Sequence, residues 1–353
     1  ILEGFDGTTL NTKAFQEAIN HLSKYESKGG SILYVPPGKW LTGSFNITSV
    51  HFTLFLHQDS VLLASQGEMA PLMVKAVCGG ANFTKEYTCP CLIEILYYQN
   101  IQISNVTLVN SPPWNIHPTY SGNVIVQGDN YTSVTSPTTD GINPDFCTNV
   151  RIEDCYIVSG DDCVAVKSGW DEYGIVLGCQ PSKTEDIVAI NTESGVRIKI
   201  SVGRGGYVKD IYVRGMSLKT MIYVFWMTGN YGAHPDNNYD SIALPVIQNI
   251  NYRDIVAKNV TMPALLEGIP GDTFTGICIS KVTIELLKAA TNIPWNCTDV
   301  SGISSDAPPQ PCDLLPDQGE EYTSACDFPT ESLPIDEVEI QTYSCKTNIL
   351  PND

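Results

Sequence analysis

Apolar and polar residues alternate in short segments along most of the chain. Clear examples begin at Asn100, Asn149, Glu185, Val208, Ile247 and Thr275. Alternation with a period of two predicts β-strands, and recurrence at intervals of about two dozen residues, or roughly twice that, predicts stacked turns of a solenoid. An antiparallel sandwich is the alternative, but its hairpin turns recur every eight to twelve residues or so, and the spacing here is longer.

One segment near the N-terminus, "NTKAFQEAINHLSKYESKGG", has a helical pattern, with Asn11 predicted as its N-cap and Gly29 as its end. A helix followed by many strands is typical of a right-handed parallel β-helix, in which the helix covers the open first turn. We therefore expect an all-β solenoid that forms one domain over residues 1–353. Its N-terminal cap would span about residues 1–40, and a tail rich in cysteine and proline would span about 295–353.

Composition places the protein outside the cytosol. No run of eighteen apolar residues exists, so we expect a soluble chain, and "ILEGFDGTTLNTKAF" does not resemble a signal peptide, so we expect that any targeting segment has been removed. Twelve cysteines together with six N-x-Ser/Thr sequons favour a secreted, disulfide-bonded glycoprotein. The sequons are Asn46, Asn82, Asn105, Asn130, Asn259 and Asn296. Zinc is the alternative use of the cysteines, but apart from Cys89 and Cys91 they are scattered, without a C-x-x-C pair.

The net charge of −19 disfavours nucleic acids and anionic membranes as partners, because both require a basic surface. It leaves open an anionic polymer that is held by a few local cations. We expect a monomer.

The stretch "VSGDDCVAVKSGWD" places Asp161 beside Asp162, where each carboxylate makes the other harder to ionise. In a solenoid, residues one turn apart are neighbours in space. Counting back 21 residues from Asp161 reaches Asp140, and counting forward 36 reaches Arg197, with Lys199 close behind. We therefore expect three carboxylates and two cations on one face. The alternatives are a solvated turn for the aspartates and a solvated strand edge for the cations.

The motifs "TTDGI", "SGDDC" and "GVRIK", in that order, resemble those of polygalacturonases and related pectin hydrolases of glycoside hydrolase family 28. Two longer segments, "SGDDCVAVKSGWDEYGI" and "VGRGGYVKDIYVRGM", are similar to the plant branch of that family. The resemblance implies a secreted cell-wall enzyme that hydrolyses α-1,4-galacturonan with inversion and needs no cofactor or metal. It implies that Asp161 is the general acid, and that Asp140 and Asp162 hold and deprotonate water.

The resemblance also implies that Arg197 and Lys199 bind the carboxylate of the sugar. Tyr231 lies near the position of a family substrate-binding tyrosine, and the alternative is an ordinary loop aromatic. A family disulfide implies a bond between Cys163 and Cys179. In the tail, two further pairs are expected: Cys297 with Cys312, and Cys326 with Cys345.

The chain departs from the family pattern in three ways. Thr138 stands where the family usually has asparagine. The family histidine is absent, with Lys183 at its spacing, and the interval from Asp162 to Arg197 is about one turn short. His117 and His234 are predicted to be ordinary loop histidines, and Asp145 to cap a turn. Two functional classes remain: an active hydrolase, which the retained aspartates favour, and a pectin-binding relative with weak or no catalysis.

Overall fold

A computed structural model describes residues 4–65, 91–133, 138–167, 178–232, 240, 242–288, 294–319 and 333–342, with the backbone alone at 28 and 178–181. The chain divides into two compact units, residues 1–90 and 91–353. None of the helices in these described ranges is both long and apolar enough to cross a membrane.

Over its described residues, 4–65, the first unit contains one α-helix, one 3₁₀-helix and five short strands. Its elements are β1 (Asp6–Leu10), α1 (Thr12–Leu22), a 3₁₀-helix (Ser23–Lys28), β2 (Ser31–Val35), β3 (Gly38–Thr42), β4 (Phe52–Leu56) and β5 (Ser60–Ala64). The strands pair in parallel, β1 with β3 and β3 with β5, and β2 with β4. Phe15 of the helix packs in a small core with Val35 and Trp40, so burial of its apolar face holds α1 in this unit.

The predicted helix is present, and Asn11 is its N-cap residue as expected. Asn11 precedes α1, and its side-chain amide donates to the carbonyl oxygen of Thr9 at 2.8 Å instead of making a capping hydrogen bond. Gly29 follows the 3₁₀-helix with φ of 99°, a left-handed conformation that glycine adopts without steric cost, and so ends the segment as predicted.

In the second unit, the described residues form a parallel sheet of nineteen strands wound into successive turns. Its strands are β6 (Ile93–Leu96), β7 (Gln99–Ser104), β8 (Thr107–Val109), β9 (Trp114–Thr119), β10 (Gly122–Gln127), β11 (Asn130–Thr132), β12 (Asp140–Ile142), β13 (Thr148–Glu153), β14 (Tyr156–Val158), β15 (Val164–Lys167), β16 (Gly178–Glu185), β17 (Val188–Ile190), β18 (Ser194–Lys199), β19 (Tyr207–Arg214), β20 (Ser217–Thr228), β21 (Val246–Glu267), β22 (Phe274–Leu286), β23 (Asn296–Thr298) and β24 (Val300–Ser305). A 3₁₀-helix, Pro334–Glu337, follows them.

Inward-facing residues of successive turns stack into buried apolar columns. One column runs through Ile142, Val164, Val196, Phe225 and Ala264, which are register partners from turn to turn and are at most 1% exposed. Burying each large side chain of such a column stabilises the fold by about 1.5–3 kcal/mol. The expected all-β parallel β-helix is therefore confirmed.

Asparagines stack at the turns and explain why so many segments open with this residue. Asn100, Asn123 and Asn149 have φ between 52° and 60°, a left-handed region that asparagine tolerates better than most residues. The amide of Asn123 donates to Oδ1 of Asn100 at 2.8 Å, and the amide of Asn149 donates to Oδ1 of Asn123 at 3.1 Å. This ladder keeps the turns in register.

Candidate active site

Three neighbouring strands carry the five charged residues singled out in the sequence. Asp140 is the first residue of β12, Asp161 and Asp162 lie just before β15, and Arg197 and Lys199 lie on β18. Register partners in β15 and β18 are Ala165 with Arg197 and Lys167 with Lys199. The structure therefore brings the five residues together on the outer face of adjacent turns, as the solenoid argument predicts.

The aspartate cluster, Asp140, Asp161 and Asp162, has carboxylate oxygens within 4.8 Å of one another. The backbone N–H of Asp162 donates to Oδ1 of Asp140 at 3.2 Å. Close stacking requires glycine at position 141, because a Cβ there would lie 2.4 Å from the carbonyl oxygen of Cys163. Asp140 and Asp162 are buried, whereas 22% of the Asp161 side chain remains exposed. Asp161 is thus the member of the cluster that solvent, or a bound ligand, can reach.

Lys199 supplies positive charge inside the aspartate cluster. Its Nζ lies 2.6 Å from Oδ2 of Asp162 and 3.5 Å from Oδ2 of Asp140. The Ser194 hydroxyl donates to Oδ1 of Asp162 at 2.7 Å. The spacing of the three carboxylates would suit a metal ion, but the ammonium group of Lys199 already provides the cation that buried carboxylates require.

Arg197 borders the aspartate cluster on the other side. Its Nη1 lies 3.2 Å from Oδ2 of Asp162 and 3.7 Å from Oδ1 of Asp161. The guanidinium stacks on the ring of Trp226, with its central carbon 3.3 Å from the ring centroid. The ring of Tyr231 lies 5.8 Å from this guanidinium and 5.9 Å from Nζ of Lys199, so the structure places the predicted substrate-binding tyrosine beside both cations.

The three carboxyl groups differ in proton affinity. Burial and the carboxylates of Asp162 and Asp161 raise the pKa of Asp140 to about 7. Burial together with Asp162 raises the pKa of Asp161 to about 7. Burial would also raise the pKa of Asp162, but Lys199 and Arg197 outweigh it and hold that pKa below its usual value. Burial would lower the pKa of Lys199, but Asp140 and Asp162 outweigh it and raise that pKa. At mildly acidic pH the cluster therefore contains both a protonated acid and an ionised carboxylate.

Several residues of the site were missed in the sequence because no motif singles them out. Trp226 of β20 lies beside Arg197 of β18, because the two residues are register partners on these neighbouring strands. Arg204 is 1% exposed and lies 5.1 Å from the ring of Tyr231. Its only sequence signal is the "VGRGG" segment. Ser194 and Glu193 directly precede the predicted "GVRIK" motif, so proximity to that motif could have found them.

His117 is not the loop histidine that was predicted. It lies in β9 and is buried, with Nδ1 3.5 Å from Oε1 of Glu94 and Nε2 3.7 Å from Oδ2 of Asp145. Burial opposes its protonation, but Asp145, Cys91 and Glu94 outweigh burial and raise its pKa to about 10. Asp145, predicted to cap a turn, is therefore an ion-pair partner of His117.

His234 lies outside the described residues.

Lys183 does not take the place of the family histidine. It lies on β16 in register with Arg151 and Tyr212, whereas the aspartate cluster belongs to the strand column of β12, β15 and β18. Its ammonium group pairs with Glu185, and with Asp336 at 3.0 Å.

Cys163 corrects the predicted disulfide. It is a free, fully buried thiol, so it makes no bond to Cys179, whose side chain lies outside the described residues. The physical reason is topological: Cys163 directly precedes β15, which pairs with β12 and β18, whereas Cys179 lies in β16, which pairs with β13 and β19. The predicted bond between Cys297 and Cys312 is confirmed.

Other sequence predictions fall partly outside the described residues. Cys326 and Cys345 lie there, as does the sequon Asn82. Within the described part of the chain, the remaining sequons are all exposed at the surface, namely Asn46, Asn105, Asn130, Asn259 and Asn296.

Comparison with known families identifies the chain. The sequence profile described as "Glycosyl hydrolases family 28" matches residues 62–305, which is well over half of the chain. The chain belongs to glycosyl hydrolase family 28. It is therefore a glycoside hydrolase, and the aspartate cluster with its two cations is the candidate active site of a family 28 enzyme.

Named relatives agree with this assignment. A "Probable polygalacturonase" from Vitis vinifera is 55% identical, with 98% of this chain and 85% of the relative aligned. A "Polygalacturonase" from Chamaecyparis obtusa is 24% identical over 79% of this chain and 58% of its own length. The Vitis alignment has 420 positions and so exceeds the 353 residues of this chain, which means that stretches of that relative have no counterpart here.

Solved structures agree on the fold. An exopolygalacturonase from Thermotoga maritima aligns with a TM-score of 0.54 and 22% identity, over 83% of this chain and 89% of its own. An endo-xylogalacturonan hydrolase from Aspergillus tubingensis aligns with a TM-score of 0.63 and 14% identity, over 91% and 92%. Identities this low establish the shared fold alone.

Proposed function

We propose that this family 28 chain is a secreted hydrolase that cleaves the α-1,4-galacturonan linkages of pectin by an inverting mechanism with three aspartates. The observation that carries the proposal is the aspartate cluster, in which one carboxyl is exposed and protonated and another is buried and ionised. The polygalacturonase names of the Vitis and Chamaecyparis relatives support the choice of substrate.

Asp161 is proposed as the general acid. Its carboxyl is the exposed one of the cluster, so the glycosidic oxygen of a bound chain can approach it. A pKa raised to about 7 keeps it protonated between about pH 4 and 6, where it can donate to the leaving oxygen.

Asp162 and Asp140 are proposed to hold the attacking water, and Asp162 to deprotonate it, because the raised pKa of Asp140 keeps that carboxyl protonated at mildly acidic pH. Asp162 is the ionised member of the cluster, and the Lys199 ammonium, the Arg197 guanidinium and the Ser194 hydroxyl all engage its carboxylate. A carboxylate so buried and so restrained is a poor candidate to bond to the anomeric carbon, which supports attack by water and hence inversion.

The spacing of the carboxylates makes stereochemistry a direct test of this assignment. Their oxygens lie within 4.8 Å, whereas the two carboxyl groups of most inverting glycosidases are roughly 6.5–9.5 Å apart. We expect ¹H NMR of the first products from oligogalacturonate to show the inverted anomer. The retained anomer would overturn the mechanism and would assign a nucleophile to the cluster.

Arg197 and Lys199 are proposed to bind the carboxylate of the sugar at the cleavage point. Stacking on Trp226 fixes the plane of the guanidinium, and Tyr231 lies beside both cations. In a protein of net charge −19, these two cations give the carboxylate of an anionic sugar a defined pairing partner.

The test of function is release of reducing ends from polygalacturonic acid between about pH 4 and 6. The natural protein is compared with Asp161→Asn, and with Asp313→Asn as a matched change at an exposed aspartate. We expect activity in the natural protein and in the control but not in Asp161→Asn. Pectin binding without reducing-end release by any of the three would instead assign the chain to the pectin-binding class.

Secretion to the plant cell wall, glycosylation and a monomeric state are part of the same proposal. Exposed sequons and the bond between Cys297 and Cys312 support an extracellular setting. We also propose that residues 1–353 form a single domain. Chromatography with light scattering, peptide mapping of glycans and a single cooperative transition in calorimetry would test these points.

A further inference from the structure

Glu193 lies beside the proposed general acid, although no motif marks it. It directly precedes β18, and its backbone N–H donates to the carbonyl oxygen of Asp161 at 2.8 Å. Its side chain is 32% exposed, and Oε2 lies 3.5 Å from Nη1 of Arg197, which is four residues further along the chain. The backbone hydrogen bond therefore fixes Glu193 on the turn next to Asp161.

The Arg197 guanidinium faces more carboxylate groups than it can neutralise. Its Nη1 is within 3.7 Å of oxygens of Asp161, Asp162 and Glu193. The guanidinium cannot turn away easily, because it stacks on Trp226. Asp162 is nearest and also holds Lys199, so the remaining two carboxyl groups share one partly satisfied cation.

Asp161 and Glu193 can relieve their repulsion by sharing a proton. Oδ1 of Asp161 is buried and accepts no hydrogen bond from an N–H or O–H donor of the described residues. The carboxyl groups of Glu193 and Asp161 both lie within 3.7 Å of Nη1 of Arg197, and a hydrogen bond between them contributes to the raised pKa of Asp161. Since an ionised carboxylate has no donor, this bond forms only when one of the two groups is protonated.

We propose, on the basis of the function proposed above, that Glu193 is a positioning residue for Asp161, which it holds in the protonated state and in the orientation from which the proton is donated. The inference adds a fourth carboxyl to the site. Glu193 itself need not touch the sugar, because it acts through Asp161.

The charged groups that face Asp161 come from three elements. Asp162 lies next to it in its own loop, Asp140 lies on β12, and Glu193, Arg197 and Lys199 come with β18. Arg197 and Lys199 favour the ionised form of Asp161, whereas Asp140 and Asp162 oppose it. Glu193 adds both a like charge and a hydrogen bond to that opposition, and burial, the largest effect, acts in the same direction.

The first test is the pH profile of kcat/KM for Glu193→Gln. Loss of the negative charge makes Asp161 easier to ionise, so the alkaline limb should move to lower pH by about one unit. The loss of activity should therefore grow as pH rises. Glu193→Asp keeps the charge and should restore much of the natural profile. Glu285→Gln, at an exposed glutamate of β22, is the matched control and should leave the profile unmoved.

Two kinetic outcomes would overturn the inference. An alkaline limb that does not move in Glu193→Gln would show that Glu193 does not influence the proton on Asp161. A rise in KM that is equal at every pH would assign Glu193 to substrate binding through Arg197.

A second measurement does not depend on catalysis. In protein labelled with ¹³C-aspartate, the Asp161 carboxyl signal is assigned by its disappearance in Asp161→Asn, and its titration is followed in the natural protein and in Glu193→Gln. A titration that moves to lower pH supports the inference even if the natural protein hydrolyses no galacturonan, in which case only the proposed function fails. Hydrolysis by the natural protein, with an unmoved titration in Glu193→Gln, overturns the inference and leaves the function standing.

Discussion

Two groups of buried charges lie on the same outer face of the β-helix but have opposite balances. The His117 group, consisting of His117, Glu94, Asp145 and Lys167, has two carboxyl groups and two cations, although Lys167 also faces Asp140. The aspartate cluster with Glu193 has four carboxyl groups, and the cations paired with them are Arg197 and Lys199. An excess of carboxyl groups favours retained protons, whereas equal numbers of opposite charges compensate one another.

The pKa values follow this difference. In the aspartate cluster, burial and like charges raise the pKa of Asp161 to about 7, which provides a donor in mildly acidic solution. In the other group, burial is outweighed by carboxylates and a thiol, and the pKa of His117 rises to about 10. His117 therefore remains a cation across the range in which a polygalacturonase would work. We infer that the aspartate cluster retains a proton, whereas the His117 group connects neighbouring strands through ion pairs.

The largest effect is expected for Asp161→Asn, which removes the stored proton but keeps the shape of the side chain. Because general acid catalysis contributes about 10²–10⁴-fold, kcat on polygalacturonate should fall by about a thousandfold. Reducing-end assays measure it, with the melting temperature as a check on folding. A fall of less than about tenfold would assign the donated proton to another group.

The second largest effect is a loss of stability in Lys199→Met, which removes a cation from a cluster in which carboxyl groups outnumber cations. Asp162 and Asp140 would lose their buried partner, and breaking a buried ion pair costs about 3–5 kcal/mol. Urea denaturation at pH 7 measures the free energy of unfolding, with Lys219→Met as the control at an exposed lysine of β20. Equal stability of the two variants would mean that Lys199 is not a structural counter-ion.

A smaller effect is expected for His117→Gln, which should lower stability by about 2–3 kcal/mol at pH 6 by removing the imidazolium that lies between Asp145 and Glu94. The pKa of His117 is raised on folding, so its contribution is fully present below the ordinary value of 6.5 and is lost as pH rises through about 10. The difference in melting temperature between the natural protein and the variant should therefore narrow from pH 7 to pH 10. A constant difference would show that the imidazole acts through packing and not through charge.

The smallest expected effect is that of pH on the natural enzyme. Since Asp161 must carry its proton and has a pKa raised to about 7, kcat/KM should fall by about tenfold for each unit of pH above that value. The interaction between Asp140 and Asp161 means that the limb reports the pair as a unit. A limb that begins near pH 4 would mean that the cluster holds no proton in solution.

Local pattern was sufficient to predict the class of fold and the central charges of the site. Alternation in segments such as the one at Asn149 predicts strands, and stacked strands place residues one turn apart side by side, so Asp140, Asp162 and Lys199 could be brought together by counting. The helix and the bond between Cys297 and Cys312 follow from equally local signals.

Tertiary structure decided what lies between those residues. The number of residues in each turn varies, and a shift of one residue moves a side chain to the opposite face of its strand. Counting residues therefore could not predict that Trp226 stacks on Arg197. It also could not predict that His117 is buried between Glu94 and Asp145. The predicted bond of Cys163 was wrong because the sequence does not show that Cys163 and Cys179 belong to different columns of strands. The protonation of the aspartates also belongs to the fold, since only burial and the distances to Lys199 and Arg197 determine which carboxyl keeps its proton.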